Sequence, residues 1–452
     1  MTSAIHQALL DHNRQVPRYT SYPTAPHFSP EVTGEVFSGW VKALPDGASL
    51  SLYIHIPYCR QICWYCGCFT KATRKYAPVE GFVASLVEEI KHTSAELSGG
   101  QVVNHIHFGG GSPSMLKPDD FTSIMKVIRE GYTVHPEAEI AIELDPREVT
   151  EAKVSAYAAG GVTRASLGVQ DFHVEVQQAI GRRQPFHMVY DAVRFLRDYG
   201  ISDINMDLLY GLPGQTLQRI EENVDFAVAL NPSRIALFGY AHVPWMKKHM
   251  QLIDEAALPD GEARLKQFDA ASARLAKRGY EAVGLDHFVR HTDPMAEALR
   301  THTLRRNFQG YTTDAADALL GFGTSAISVL PQGYAQNTLV AKDYAETVSR
   351  GSYPVVKGKW VNEDDRLRRA VIETLMCYFE VDLDDFCKKR GLPCDYFDDA
   401  LPELTSLAFE GLIRLLGRRI IIDQNARQAV RLAAAAFDSY LNPSVTRHAQ
   451  VA

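Results

Sequence analysis

No stretch of the chain approaches the roughly 18 uninterrupted apolar residues of a membrane-spanning helix. The opening residues, MTSAIHQALLDHNRQVPRYTSYPTAP, also lack the cationic start and apolar run of a secretory leader. The expected location is the cytoplasm, with no membrane span. Positive charge is not in surplus either. Forty-seven basic against 54 acidic residues leave a net charge of -7, which argues against a global nucleic-acid or anionic-membrane surface and leaves any anionic substrate to local Arg or Lys. Low-complexity tracts and internal repeats are missing, and 46% hydrophobic with 22% charged residues excludes collagen-like and disordered classes. At 452 residues the chain has room for about two or three domains and a large core.

What is present first is alternation. Short β-rich runs at LYIHI (52–56), NHIHF (104–108), EIAIEL (139–144), RASLGV (164–169), INMDLLY (204–210) and RIALFGY (234–240) are separated by stretches of helical period. The helical stretches include Val79 to Ser98, Asp119 to Arg129, Phe186 to Tyr199 and Thr216 to Ala229. This predicts an α/β fold, a partial parallel (β/α)6 barrel over 49–290, with EAVGL (281–285) as a further strand candidate. Residues 1–48 read as an N-terminal cap, 291–355 as a connecting, substrate-proximal segment, and 356–452 as a smaller, mainly helical C-terminal domain. That last domain carries helical patterning at Glu363 to Phe379, Ala400 to Leu416 and Ala426 to Leu441, and a strand at RRIIID (418–423).

Cysteine is crowded: Cys59, Cys63, Cys66 and Cys68 lie together, while Cys377, Cys387 and Cys394 sit in the last quarter. In a reducing compartment such crowding favours a metal centre over disulfides. Three thiolates at C-x3-C-x2-C after the first strand can wrap one face of an iron-sulfur cube and leave one iron open. A structural zinc site usually needs a second ligand pair, and no further C-x-x-C or H-x3-H lies nearby. His55, His107, His242 and His287 stand beside strand ends and read as satisfied structural histidines rather than ligands.

The C-x3-C-x2-C loop is the signature of the radical S-adenosylmethionine (SAM) enzymes. YIHIPYC (53–59), CGC (66–68), HFGGGSPS (107–114), IELDPRE (142–148), SLGVQDF (166–172), DLLYGLPGQT (207–216), RNFQGYTT (306–313) and RYTSYPTA (18–25) closely resemble the oxygen-independent coproporphyrinogen III oxidase (coproporphyrinogen dehydrogenase) family over nearly the whole chain. Tyr58 stands where Phe is common, and Ser112 where Thr is common. The resemblance implies a radical-SAM barrel and a [4Fe-4S] cluster on Cys59, Cys63 and Cys66, with Cys68 unassigned or accessory. It also implies two SAM molecules. Tyr53, Gly110 and Glu143 match the first site, and Tyr65, Gly111, Ser112, Gln170, Arg182, Asp207, Ala241 and Ile327 the second.

The implied reaction is oxidative decarboxylation of two propionates of coproporphyrinogen III to vinyl groups, giving protoporphyrinogen IX in anaerobic haem biosynthesis, through a 5'-deoxyadenosyl radical. A monomer working with a low-potential donor such as flavodoxin, and without nucleic acid, completes that picture. Rival readings are a haem chaperone on the same barrel and a radical enzyme that modifies haem. CGC, RYTSYPTA and RNFQGYTT point away from the chaperone. From the residues themselves, Arg18, Arg305 and Arg306 are candidates for propionate pairing, and Tyr19, Tyr22, Phe308 and Tyr311 for lining a tetrapyrrole cavity.

Overall fold

The computed structural model describes residues 4–12 and 15–441. Its frame is a run of parallel strands in chain order: β1 (Ser49–Ile56), β2 (Val102–Gly110), β3 (Thr133–Leu144), β4 (Arg164–Gln170), β5 (Asp203–Tyr210) and β6 (Arg234–Gly239). Each follows from period-2 patterning. In β1, Leu50, Leu52, Ile54 and Ile56 are buried under the helices, which turns Ser51, Tyr53 and His55 to the other face of the sheet.

After β6 come β7 (Tyr280–Val283) and β8 (His287–Arg290), the latter antiparallel to β6 and the former to β8. The candidate at 281–285 is therefore a strand, but at the outer edge. It joins the sheet through a hairpin partner instead of pairing with the sixth strand. Four more strands were not read from the sequence. β9 (Ala318–Phe322) pairs in parallel with the free side of β1, and β10 (Ile327–Leu330), β11 (Gly333–Asn337) and β12 (Val355–Trp360) continue antiparallel, so that the sheet has 12 strands.

Helices Ala77–Glu96, Pro118–Gly131, Glu151–Ala159, Phe186–Asp198, Leu217–Ala229 and Gly261–Lys277 pack on the apolar face. Thr150, Thr216 and Asp260 accept from backbone N–H groups of the first turn at three of their starts.

The C-terminal region has its own core. Helix Glu363–Tyr378 opens with a capping box between Asn362 and Asp365. A three-stranded sheet of β13 (Glu380–Asp382), β14 (Ile413–Leu416) and β15 (Arg419–Ile422) packs beside it, with β15 central. Two expected helices are corrected here. The 400–416 stretch is helical only over Leu401–Phe409; Gly411, at φ 76°, turns the chain into β14. The 426–441 stretch keeps a helix at Val430–Ala435, preceded by a 3-10 turn with non-helical Ala426. All six residues of that short helix are buried, so its length carried no amphipathic signal. Leu9, Val16, Tyr19 and Tyr22 belong to this C-terminal core, whereas Phe37 and Trp40 belong to the core of the main sheet. The N-terminal segment thus straps the two bodies together.

Candidate active site at the strand ends

The face of the sheet opposite the helices carries polar groups because Ser51, Tyr53, His55, His107, Glu143, Ser166, Asn205 and Asp207 alternate with the helix-facing apolar residues. His107 Nε2 and Glu143 Oε1 are 3.1 Å apart, and the Tyr53 ring stacks on His107 at 5.8 Å. Asn205 Nδ2 donates to Asp207 Oδ1 (2.7 Å), and Ser166 Oγ donates to Asp207 Oδ2 (3.2 Å). Burial, followed by the charge of Glu143, pushes the Asp207 carboxyl up to about 6. His55 is held below its usual pKa by burial and is neutral; its Nε2 donates to the Phe69 carbonyl (3.1 Å) and its Nδ1 accepts from Tyr53 (3.1 Å).

Immediately after β1 the chain enters the cysteine loop. A two-residue parallel ladder, Tyr58–Cys59 with Lys71–Ala72, closes its base. The Cys66 N–H turns back onto the Cys63 carbonyl (3.1 Å), and the Trp64 N–H reaches the Ile180 carbonyl (2.9 Å). The segment after β6 clamps the far side, with His249 on the Cys66 carbonyl (2.7 Å) and Lys247 on the Cys68 carbonyl (2.9 Å).

Donors surround the sulfurs. Thr70 Oγ1 lies 3.2 Å from Cys59 Sγ, and guanidinium nitrogens of Arg147 and Arg182 lie 3.3 and 3.4 Å from Cys63 Sγ. Burial pushes the Cys59 thiol up to about 12. The Cys66 thiol is pushed down to about 6, first by the hydrogen bond it accepts from the Cys68 thiol and, against burial, by the Cys68 N–H, His249 and Lys247. Among the described residues no three His, Cys, Asp or Glu side chains converge on one point as a single bound ion would need, whereas the thiolates of an iron-sulfur cube each take a different iron. The donor set nonetheless suits a three-thiolate iron-sulfur group, since three neighbouring sulfurs are ringed by hydrogen-bond donors and positive charge, the surroundings that stabilise thiolates and tune cluster potentials.

Asp145 organises the two arginines. Its carboxylate accepts from Arg147 Nε (3.0 and 3.1 Å) and NH2 (2.7 Å), and from both terminal nitrogens of Arg182 (3.2 Å each). Burial alone would raise its pKa, but the charge of Arg182 and the hydrogen bonds from Arg147 hold it down at about 2. Arg182 also donates to the Gly168 carbonyl (2.5 Å), while its Nε is buried without a partner.

Gly110 and Gly111 sit where side chains would not fit. A Cβ at Gly110 (φ 110°) would lie 2.7 Å from the His55 ring, and one at Gly111 would lie 2.3 Å from Thr70 Oγ1 and 2.9 Å from the Tyr58 nitrogen. Glycine is required at both positions because His55, Thr70 and the Tyr58 backbone already occupy the space of a side chain. Gln170 holds φ 69° at a bulge that ends β4, a conformation that costs a non-glycine residue about 1 kcal/mol or more and concentrates at functional sites.

The structure gathers the sequence-derived residues unevenly. Tyr53, Gly110 and Glu143 share one patch through His55 and His107. The Gln170 amide, Arg182 and the Tyr65 ring gather beside Gly168 and Asp145. Ser112 is buried against Ser114, 2.5 Å between hydroxyls, and Ser114 in turn accepts from the Asp145 N–H. Ile327 begins β10 at the same rim and packs toward Phe28 and Tyr334. Asp145, Arg147 and Thr70 were not singled out in the sequence. The first two lie inside the IELDPRE motif, but only their distances to Cys63 mark them.

Ala241 lines a separate cavity of about 370 Å³ beyond β6, together with Arg18, Arg264, Arg306, Arg431 and Asp286. Asp286 is the one carboxylate among the described lining residues. The arginines are held mostly by neutral groups. Arg18 donates to the Gly239 carbonyl (3.1 Å), Arg306 to the Tyr19 and Arg18 carbonyls (3.3 and 3.2 Å), and Arg264 lies 5.6 Å from the Tyr210 ring centroid. One terminal nitrogen of Arg306 is buried without a partner. Burial, then the charge of Arg18, pushes Arg431 down to about 9.

One expectation for this region changes. Tyr311 is core, its hydroxyl donating to the Met376 carbonyl (2.7 Å) and accepting from the Leu285 N–H (2.9 Å). Arg305 lies outside this cavity, exposed and paired with Glu373 at 3.0 Å, and with Glu373 lines a neighbouring hollow. Tyr19, Tyr22 and Phe308 line the same hollow, of about 170 Å³, which shares Arg306.

Comparison with known proteins converges on one group. Residues 53–227 match the radical SAM superfamily. The chain is 45% identical to the oxygen-independent coproporphyrinogen III oxidase of Bradyrhizobium diazoefficiens over 96% of its own length and 97% of that protein's. It is 40% identical to the enzyme of the same name from Paracoccus denitrificans over 94% of each. Among solved structures, the radical SAM coproporphyrinogen III oxidase of Escherichia coli superposes with a TM-score of 0.89 at 36% identity, covering 95% of this chain and all of that one.

Proposed function

Since the chain belongs to the oxygen-independent coproporphyrinogen III oxidase family, we infer that it catalyses oxidative decarboxylation of two propionate side chains of coproporphyrinogen III to vinyl groups, giving protoporphyrinogen IX. A [4Fe-4S] cluster held by Cys59, Cys63 and Cys66 would supply the one-electron reduction of SAM on which hydrogen abstraction from the propionate depends. The observation that carries this reading locally is the juxtaposition at one rim of a cysteine loop ringed by guanidinium groups and a cavity lined by four arginines and one carboxylate.

The protein's own residues hold and orient. Cys59, Cys63 and Cys66 are the cluster ligands, with Arg147 and Arg182 fixing Cys63 and Thr70 fixing Cys59. Tyr53, Gly110 and Glu143 receive one SAM: the glycine offers bare backbone, and the carboxylate takes an ammonium or ribose hydroxyls. A second SAM lies along Tyr65, Gly111, Ser112, Gln170, Arg182, Asp207, Ala241 and Ile327. There the unpartnered Nε of Arg182 faces a carboxylate, and Asp207, with its raised pKa, supplies a proton-bearing carboxyl near neutrality. Cys68 stays accessory, its thiol turned to Cys66.

The substrate's propionates pair with Arg18, Arg264, Arg306 and Arg431, whose charge Asp286 alone does not balance. Tyr240, Phe238 and Trp245 on the same wall keep water from the macrocycle. By resemblance, the reading extends to a monomer in the cytoplasm reduced by a flavodoxin-type carrier.

An anaerobic assay of reconstituted, reduced protein with SAM and coproporphyrinogen III tests it. Loss of two carbon dioxide units with two 5'-deoxyadenosines per product is the expected result. SAM cleavage with unchanged porphyrinogen would move the protein to another tetrapyrrole role.

A further inference from the structure

The chain is acidic overall, yet between Asp46 and Glu80 there is no acidic residue at all. Inside that interval lie the cysteine loop and Arg60, Lys71, Arg74 and Lys75, all four exposed. The short ladder that closes the loop gathers them. Arg60 directly follows Cys59, the last residue of one strand, and Lys71 begins the other. Arg60 donates to the Arg74 carbonyl (3.1 Å), and Arg60, Gln61, Ile62, Ala72, Thr73 and Arg74 line a surface depression. The nearest counter-charge is Glu148, 3.5 Å from Arg60 and mostly buried. Lys153, close enough to Arg60 for its pKa to be lowered by that charge as well as by burial, keeps the surroundings positive. Thr70 touches Cys59 Sγ, and strand alternation puts Lys71, the partner of Tyr58, on the face of the ladder opposite Cys59.

We propose that the basic ladder face around Arg60, Lys71, Arg74 and Lys75 is the docking surface for a low-potential one-electron carrier with an acidic surface. The inference rests on the reading of the cysteine loop as an iron-sulfur site. In the complex the carrier loses one electron and the iron-sulfur group gains it; no atom moves between the partners. An electron crosses only a short gap, and this face brings a carrier within the thickness of one two-stranded ladder of Cys59. The chain's net charge of -7 would repel an acidic carrier elsewhere, so the local reversal both attracts and orients it. No basic surface is required for SAM or for the porphyrinogen here, because their residues lie on the inner side of the rim.

The test uses the full-length protein and purified flavodoxin as the probe. Calorimetric titration of oxidised flavodoxin into the protein at low ionic strength should show binding that weakens steeply with salt. The K71E/R74E/K75E variant should bind at least about tenfold more weakly. Its iron content and its 5'-deoxyadenosine formation with dithionite should match the wild type, while flavodoxin-driven turnover falls in step with binding. Equal flavodoxin affinity in variant and wild type, salt-independent binding, or no wild-type binding would each overturn the proposal. So would loss of dithionite-driven turnover in the variant, because it would give these side chains a role in the fold or the site. Absence of iron from reconstituted wild type is a separate result that overturns the cluster reading itself.

Discussion

Two regions of the same rim handle positive charge in opposite ways. Beside the cysteine loop, Arg147 and Arg182 are each tied to Asp145, and the carboxylate is stabilised strongly enough to sit at about 2. Two guanidinium groups share one carboxylate before any ligand arrives, so the network is partly compensated and its function is to hold geometry, here both groups against one sulfur. In the cavity beyond β6, Arg18, Arg264 and Arg306 rest on backbone carbonyls and a ring, and Asp286 is shared with His287 at 2.7 Å. Burial lowers the pKa of Arg264, a sign that its charge is under stress. Compensated arginines mark a pre-organised scaffold. Arginines held by neutral groups mark a place that an anion completes.

Mutation should break the two regions differently. Cys63→Ser has the largest effect: iron uptake and all 5'-deoxyadenosine formation should vanish, as read by metal analysis and chromatography, and a variant that keeps both removes Cys63 from the ligand set. Asp145→Asn strands two guanidinium groups, so the ligand-free protein should lose about 3–5 kcal/mol in denaturant unfolding, the usual cost of removing one partner from a buried ion pair. Arg264→Met should do the reverse. The ligand-free protein should melt at the same temperature or higher, because a charge stressed by burial is gone, while KM for coproporphyrinogen III rises about tenfold, the loss of one charged pair. A fall in Tm without a change in KM would make Arg264 structural.

Asp207→Asn gives the smallest effect, and pH reveals it. The folded pKa of about 6 lies above the reference of 3.8, so the stability that this carboxyl contributes is full below 3.8 and is lost as pH rises through 6. The variant should therefore gain on the wild type between pH 4 and 7, by about 1 kcal/mol after its altered hydrogen bonds are counted. A difference that is flat with pH would place the raised pKa elsewhere.

How much of this could be read from the chain depends on distance along it. The C-x3-C-x2-C loop, the three glycines at the end of β2 and the alternation that aims Tyr53, Glu143 and Asp207 at one face are local features. Asp145 was in plain view in IELDPRE, but its bridge to Arg182 joins residues 37 apart. Tyr311 and Arg305 read as cavity residues because an aromatic and a cation beside RNFQGYTT look alike whether buried, exposed or lining. The contact with Met376 draws Tyr311 into the core, whereas Arg305, paired with Glu373, still borders a hollow. The alanine-rich stretch at 426–441 looked like one helix because alanine favours helix everywhere, and nothing local announces where Ala426 leaves the helical region.

The sequence by itself determined the strand and helix period, the cysteine loop and its chemistry, and the absence of a general basic surface. Period, spacing and composition are properties of neighbours, and they act before the chain has folded. Only the tertiary structure decided that β9 closes on β1 and lengthens the sheet, and that Arg147 and Arg182 converge on Cys63. It also decided that arginines from residues 18, 264, 306 and 431 surround one cavity. Those groups are far apart in the chain, and their charges meet only after burial of the apolar faces has drawn the strands together and removed the water that would have kept them indifferent to one another.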